Sequence, residues 1–374
     1  MKIGPLSVRR RFAFAALACS VGVLLFLCFA EALLRLAPGL LRPGLGNHVY
    51  SKYGTFAGGL YHLEESTKML FMRPGFRTRA YWNGRVWMHE TDSYGFRNPE
   101  GLLDKSILLL GDSVIYGHGV EQNETVAHVL RTEFDRSAYN MARQGDCLYQ
   151  SYILARLYLE RFDPEIVVLF VFGNDPHDLL THRTEQEVRR APEIEFLDYE
   201  ALFERVQRLD ADRIYRSRDR RHRVLLWRLK EGLKRELGKT PVRELAFGPT
   251  EGGGGNRGGR PHPSIQLLLD DLRFELVRSY YARILPDLQA RTVSQGSRLE
   301  IVFLNFGEQL GPGAVRGQRR LGRFVKDLAE DSGILFQSTG DLWRDCSECF
   351  LPNDGHLTPD GHRRLALFLD KEVL

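Results

Sequence analysis

Ser113 closes a Gly111-Asp112-Ser113 turn that follows directly on the apolar run Ile107 to Leu110, with Gly117 and Gly119 just behind it. A buried strand that breaks into small turn-forming residues delivers its next side chain to the C-terminal edge of a sheet, where open α/β folds bind ligands. A serine placed there is positioned as a nucleophile. The helical pattern that follows, Glu124 to Arg136, is expected to aim its unpaired N-terminal amides back at that edge, where they would hold an oxyanion. Alone, the tripeptide is also ordinary turn material. Two further segments raise its weight: Gly173-Asn174-Asp175 after a second apolar run, Ile166 to Phe172, and Asn353-Asp354-Gly355-His356-Leu357-Thr358-Pro359 near the C-terminus.

Together these segments resemble the SGNH, or GDSL, hydrolase family of esterases and acyl-group enzymes, named for a Ser, a Gly, an Asn and a His in four sequence blocks. Ser113 matches the first block, Gly145 within Arg143-Gln144-Gly145-Asp146 the second, Asn174 the third and His356 the last, in the family's order. Gly95-Phe96-Arg97, within Thr91 to Asn98, is similar to a stretch preceding the first block in membrane-anchored bacterial members. The resemblance implies His356 as the base that takes the Ser113 proton and Asp354 as the carboxylate that orients the imidazole and stabilises its charge. It also implies an oxyanion hole of three donors, the amides of Ser113 and Gly145 and the side-chain NH2 of Asn174. One good donor of this kind contributes roughly 3 to 4 kcal/mol to the transition state. The commonest family spacing puts the acid three residues before the histidine, where this chain has Asn353; Asp354 lies two before, as in some family branches. Asn353 could orient the ring but would stabilise its charge less well, so Asp354 is the preferred acid.

Other titratable residues compete. His362 falls inside a final helix opened by Thr358-Pro359, as a packing or surface residue. His177 is expected on a loop surface, and His118 either lines the pocket or is exposed. Asp112 and Asp175 read as turn-forming residues and Cys147 as a buried thiol. Cys346 and Cys349 form a Cys-x-x-Cys pair just before the histidine loop, which in an oxidising compartment would brace that loop as a local disulfide. No cluster has metal-ligand spacing, and no cofactor is expected.

Three arginines, Arg9 to Arg11, precede a charge-free stretch from Phe12 to Ala30. Nineteen or so apolar residues span a bilayer core, and the basic flank favours a cytoplasmic N-terminus. The expected organisation is a basic N-terminus over 1–11, a membrane anchor over 12–36, a linker and aromatic-rich lead-in over 37–100, and a catalytic domain over 101–374 outside the cytoplasm. A cleaved signal peptide, ending near Cys28-Phe29-Ala30, is the main rival; a lipoprotein at Cys19 or Cys28 fits less well. The lead-in aromatics, Tyr50 to Phe96, pack a small lobe or stack on sugar rings.

Apolar strands at Ile107 to Leu110, Ile166 to Phe172, Leu299 to Leu304 and Ile334 to Gln337 alternate with helical patterns at Glu124 to Arg136, Leu148 to Arg161, Leu267 to Arg291 and Arg316 to Asp331. That rhythm predicts an α/β fold, a three-layer sandwich on a mostly parallel sheet, and the resemblance implies the same flavodoxin-like architecture. Residues 181–263 interrupt it as an insertion. Between Arg213 and Arg243 the insertion carries twelve Lys or Arg against three acids, interleaved with Leu225, Leu226, Trp227, Leu229 and Leu233. Such a helix lies on an anionic membrane or packs its leucines on the domain. The Gly-rich stretch from Glu251 to Arg260 is a flexible loop rather than a phosphate cradle.

A net charge of +4 and a pI near 8.7 do not argue for nucleic acid. The expected activity is a membrane-anchored serine esterase acting on an acylated glycan or small ester outside the cytoplasm. An O-acyltransferase using the same triad, a lysophospholipase, and a non-catalytic envelope protein are the alternatives.

Overall fold

The computed structural model describes residues 8–50, 61–64, 66–182, 188–189, 191–208, 224–238, 267–306, 312–352 and 355–374. The chain opens with a long helix, α1 (Val8–Leu36), followed by α2 (Pro43–Tyr50) and two antiparallel hairpins, β1 (Tyr61–Glu64) with β2 (Met69–Met72) and β3 (Arg77–Trp82) with β4 (Arg85–Glu90). The main domain then runs β5 (Ile107–Leu110), α3 (Ser113–Tyr116), α4 (Val126–Glu133), β6 (Ala138–Asn140), α5 (Leu148–Phe162), β7 (Ile166–Phe172) and α6 (Asp175–His182). It continues with α7 (Tyr199–Arg208), α8 (Leu225–Gly238), α9 (Asp271–Ser294), β8 (Arg298–Leu304), α10 (Pro312–Asp331), β9 (Leu335–Ser338) and α11 (Pro359–Glu372).

The five strands β6-β5-β7-β8-β9 form one sheet, and every pairing in it is parallel. Its strands are apolar throughout because both faces are covered. The two-residue period of a strand sorts their side chains between two cores. Leu108, Leu110, Val167, Leu169, Val171, Ile301 and Phe303 face the layer of α5, α9 and α10. Leu109, Val168, Phe170, Val302 and Leu304 face α4 and α11. The result is the three-layer α/β sandwich expected from the alternating pattern.

Strand β6 has no counterpart in the sequence reading. Three residues, Ala138-Tyr139-Asn140, are too short for a period to declare itself, yet all three are buried. The two hairpins, in the aromatic-rich lead-in, likewise show no clear strand period in the sequence. Tyr61, Phe71, Tyr81, Trp87 and Phe96 are buried in packing, which removes most of the aromatic surface offered above as a sugar platform. Helix α4 begins at Val126, and the serine instead starts a short helix of its own, α3. The expected Glu124 to Arg136 helix is therefore not the element whose amides lie beside Ser113.

Helix α1 contains a stretch, Arg11–Leu36, long and apolar enough to cross a membrane. Its described side chains from 11 to 29 are exposed, and contact with the body begins at Ala30. There Leu34 joins Val49, Tyr50, Tyr81 and Leu225 in a small separate core. Most of the insertion, including its Gly-rich stretch, lies outside the described residues.

Candidate active site

Three neighbouring strands deliver three of the four block residues to one edge. Ser113 follows β5, Gly145 follows β6 and Asn174 follows β7, all at C-terminal ends. The chain runs from β5 to β6 on one side and back to β7 on the other, so this edge contains the point where strand order reverses, the usual ligand crevice of such folds.

The turn before the serine has no room for a side chain at Gly111, where a Cβ would stand 3.1 Å from both Ile115 and Phe170. Asp112 caps α3, its Oδ1 accepting from the Val114 amide at 2.9 Å. This places Ser113 at the first helical position with its side chain half-exposed. Behind it, Arg97 is completely buried and donates to the carbonyls of Tyr116, Gly117, Val120 and Met88. One guanidinium thus ties the loop after the serine to β4. Gly95-Phe96-Arg97 is conspicuous in the sequence, but nothing in its spacing reports this clamp.

His356 comes from a narrow loop. Phe350 and Leu357 pair as an antiparallel bridge, Leu351 donates to the His356 carbonyl at 2.8 Å, and Thr358 donates to Cys349 at 2.9 Å before capping α11. A disulfide joins Cys346 and Cys349 at the base of this loop. A Cβ on Gly361 would stand 2.3 Å from the Cys349 carbonyl, so the loop base and α11 are in direct contact. The imidazole Nε2 stands 2.8 Å from Ser113 Oγ. Asn353 and Asp354, the two candidates for the orienting acid, lie outside the described residues.

A second imidazole lies along the first. His118, buried, stacks on His356 with ring centroids 4.3 Å apart and planes at 25°. Trp82 and Trp87 pack around His118 at 5.5 and 4.8 Å. Tyr61 donates to Gln144 Oε1 at 2.8 Å, so the Gln144 amide nitrogen faces His118 Nδ1 at 2.7 Å as a donor. Of the two places open to His118 from sequence, pocket wall or surface, the structure gives the wall.

The remaining blocks are held by buried charge. Gly145 adopts φ +76°, a left-handed turn that costs glycine little. Arg143 and Asp146 flank it as a buried two-pronged ion pair at 2.8 and 3.1 Å, and Arg143 also donates to the Leu70 carbonyl. Asn174 Nδ2 donates to Asp178 at 2.8 Å, while its Oδ1 has no partner among the described residues. Burial raises all four carboxyls beneath the site. Asp112 is pushed up to about 6 and Asp146 to about 7, the latter opposed by Arg143. Asp178 is pushed up to about 8 by burial and then by the Asp112 charge, and Asp175 rises for the same two reasons. Asp175 accepts from the Phe172 amide, as a turn-former should. His362 is fully buried in α11 and Cys147 is buried at the start of α5, so neither competes for chemistry.

What the described arrangement can do is move a proton from a half-exposed serine hydroxyl to an imidazole, beside several potential oxyanion donors. No protein-family model and no curated protein matches the chain. Among solved structures it is similar to SGNH/GDSL hydrolases and esterases. One is the esterase EstA from a Pseudoalteromonas species, at 12% identity over 71% of this chain and 95% of that one, TM-score 0.36. Another is a catalytic mutant of Axe2, an acetylxylan esterase from Geobacillus stearothermophilus, at 12% identity over 72% and 95%, TM-score 0.37. TesA gives 11% identity over 70% and 94%, TM-score 0.35. At these TM-scores the likeness carries no weight for chemistry; the contact between Ser113 and His356 does.

Proposed function

We propose that this chain is a serine esterase of the SGNH type, anchored by α1 and acting outside the cytoplasm on acyl esters, short ones such as O-acetyl among them, of an envelope glycan or a related small molecule. The observation that carries the reading is the 2.8 Å approach of His356 Nε2 to Ser113 Oγ, made by residues 243 positions apart in the chain. Ser113 attacks the ester carbonyl as His356 takes its proton, and the tetrahedral oxyanion is held by the Ser113 and Gly145 amides and the Asn174 side chain. Collapse expels the alcohol, which takes the proton back from His356 and leaves an acyl group on Ser113. Water then attacks with the same base, releasing the acid and restoring the hydroxyl. Asp354 is assigned to the imidazole, which it would hold in the tautomer that presents a bare Nε2 and would stabilise when charged. The mechanism uses no cofactor.

The Asn174 amide can serve this role with its two ends exchanged. A protonated Asp178, favoured by its raised pKa, would donate to Oδ1, the atom that has no partner among the described residues, and turn the NH2 toward the oxyanion.

The test is hydrolysis of p-nitrophenyl acetate and butyrate by the detergent-solubilised full chain. Ser113→Ala is expected to remove at least about a thousandfold of the rate, with a comparable loss in His356→Ala. Asp354→Asn is expected to drop it sharply and Asn353→Ala to leave it within a few-fold. Wild-type protein no faster than Ser113→Ala would sink the esterase reading. A loss in Asn353→Ala but not in Asp354→Asn would move the acid's role.

A further inference from the structure

Helix α8 (Leu225–Gly238), inside the basic insertion, is fastened to the end of α1 rather than to the catalytic sheet. Glu31, near the end of the apolar helix, accepts from the Leu225 amide at 3.1 Å and the Leu226 amide at 3.0 Å, so its carboxylate caps the N-terminus of α8. Arg35 donates to the same carboxylate from the next turn of α1. One stripe of α8 then docks on α2. Leu225 is buried with Leu34, Val49, Tyr50 and Tyr81. Arg228 donates to the Val49 carbonyl at 3.1 Å. Gly232 lies so close to Leu45 and His48 that a Cβ would meet them at 3.0 and 3.2 Å.

At 100° per residue, the arc opposite this stripe carries Trp227, Lys230 and Lys234, with Leu233 at its edge. Lys230 and Lys234 are exposed, Leu233 is 41% exposed, and the Lys230 ammonium stands 4.7 Å from the Trp227 ring. Aromatic rings beside lysines and apolar tips are what a helix lying in a headgroup layer presents. The depth is also right. The exposed part of α1, residues 11 to 29, would span roughly 27 Å at 1.5 Å per residue, close to one hydrocarbon core. Helix α8 begins within two residues of where that exposed stretch ends, judged by its bonds to Glu31.

We propose that α8 is an interfacial helix whose Trp227, Lys230, Leu233 and Lys234 face contacts anionic lipid headgroups, with Glu31 joining it to the membrane span. Its partner is the membrane surface itself, and the contact would set the height and tilt of the domain above the bilayer. The inference rests on the membrane-anchor part of the reading above and is independent of the chemistry at Ser113.

The test uses the full chain reconstituted into vesicles of phosphatidylcholine alone or phosphatidylcholine with phosphatidylglycerol, each containing lipids brominated along the acyl chain as tryptophan quenchers. Subtracting the Trp227→Phe signal isolates Trp227 from Trp82, Trp87 and Trp343. Trp227 is expected to be quenched in both vesicles and at least about twofold more strongly with the anionic lipid, a difference that Lys230→Glu with Lys234→Glu abolishes. Equal quenching in the two compositions, or none in either, overturns the proposal whether or not the double variant folds. Alkaline carbonate extraction separates the causes. A chain that stays in the bilayer with Trp227 unquenched contradicts this inference alone, and a chain that is stripped off contradicts the anchor as well. Ester hydrolysis lost in Ser113→Ala remains an independent reading in either case.

Discussion

Asp178 ties the proposed oxyanion donor to pH. An unfolded aspartate ionises near 3.8, whereas burial and the Asp112 charge push folded Asp178 up to about 8. Between these values the folded state keeps a proton that the unfolded chain releases, so stability is lost as pH rises from about 4 to about 8, at up to about 1.4 kcal/mol per pH unit for one such group. Asp178→Asn, nearly isosteric and never charged, is expected to make the fall in stability between pH 5 and pH 8 shallower in urea melts by about one group's share, Asp112, Asp146 and Asp175 supplying the rest. A fall as steep as wild type's would show that Asp178 does not contribute to it. Asn174→Ala should lower kcat by about a hundredfold or more with little change in KM, because the lost bond is made to the oxyanion and not to the substrate carbonyl. The residue types were plain from the sequence. Ser113, Gly145 and Asn174 each follow shortly after a strand and His356 sits in a narrow loop, and glycine, amide and hydroxyl at such places have few other uses. What the sequence could not give was the partner chemistry. His118 stacks on His356 only because a glycine-flanked turn and two tryptophans from a hairpin meet there, and no spacing in the chain reports a contact of that kind.

Among the elements, the loop that carries His356 and the loop that carries Ser113 each have a side-chain brace besides their backbone bonds. Arg97 supplies the second, with four carbonyls on one buried guanidinium. Arg97→Met would leave those carbonyls buried without donors, at a cost of at least ~3 kcal/mol, read as a fall in the urea midpoint. The disulfide supplies the first, joining residues three apart at the base of the histidine loop. Cys346→Ser with Cys349→Ser is expected to lower esterase kcat several-fold while the urea midpoint moves less than in Arg97→Met, since so short a loop restrains the unfolded chain little. An unchanged kcat would mean that the Phe350 to Leu357 bridge positions His356 unaided. Strands β5 and β7 were legible because four and seven consecutive apolar residues between turn formers have no exposed alternative. Strand β6 and the two hairpins were not, because three residues carry no period and the hairpins' aromatics alternate weakly with arginines.

For the whole molecule, the division between the apolar helix α1 and the body does not fall at the end of the apolar run. Leu34 is buried with Val49, Tyr50, Tyr81 and Leu225, and Tyr50 donates to the Leu34 carbonyl at 2.7 Å. A protein beginning at residue 30 keeps this small core, whereas one beginning at residue 45 exposes it. The shorter protein is therefore expected to be the less soluble, with a melting temperature several degrees lower, a comparison that calorimetry makes directly. The catalytic claim itself is tested most directly by covalent trapping. The full chain in detergent, treated with a fluorophosphonate, is expected to take up one phosphonyl group, located by mass spectrometry on the peptide containing Ser113, with His356→Ala reacting at least about a thousandfold more slowly. A folded wild-type chain that takes up no label, or carries it on a residue other than Ser113, would contradict the account.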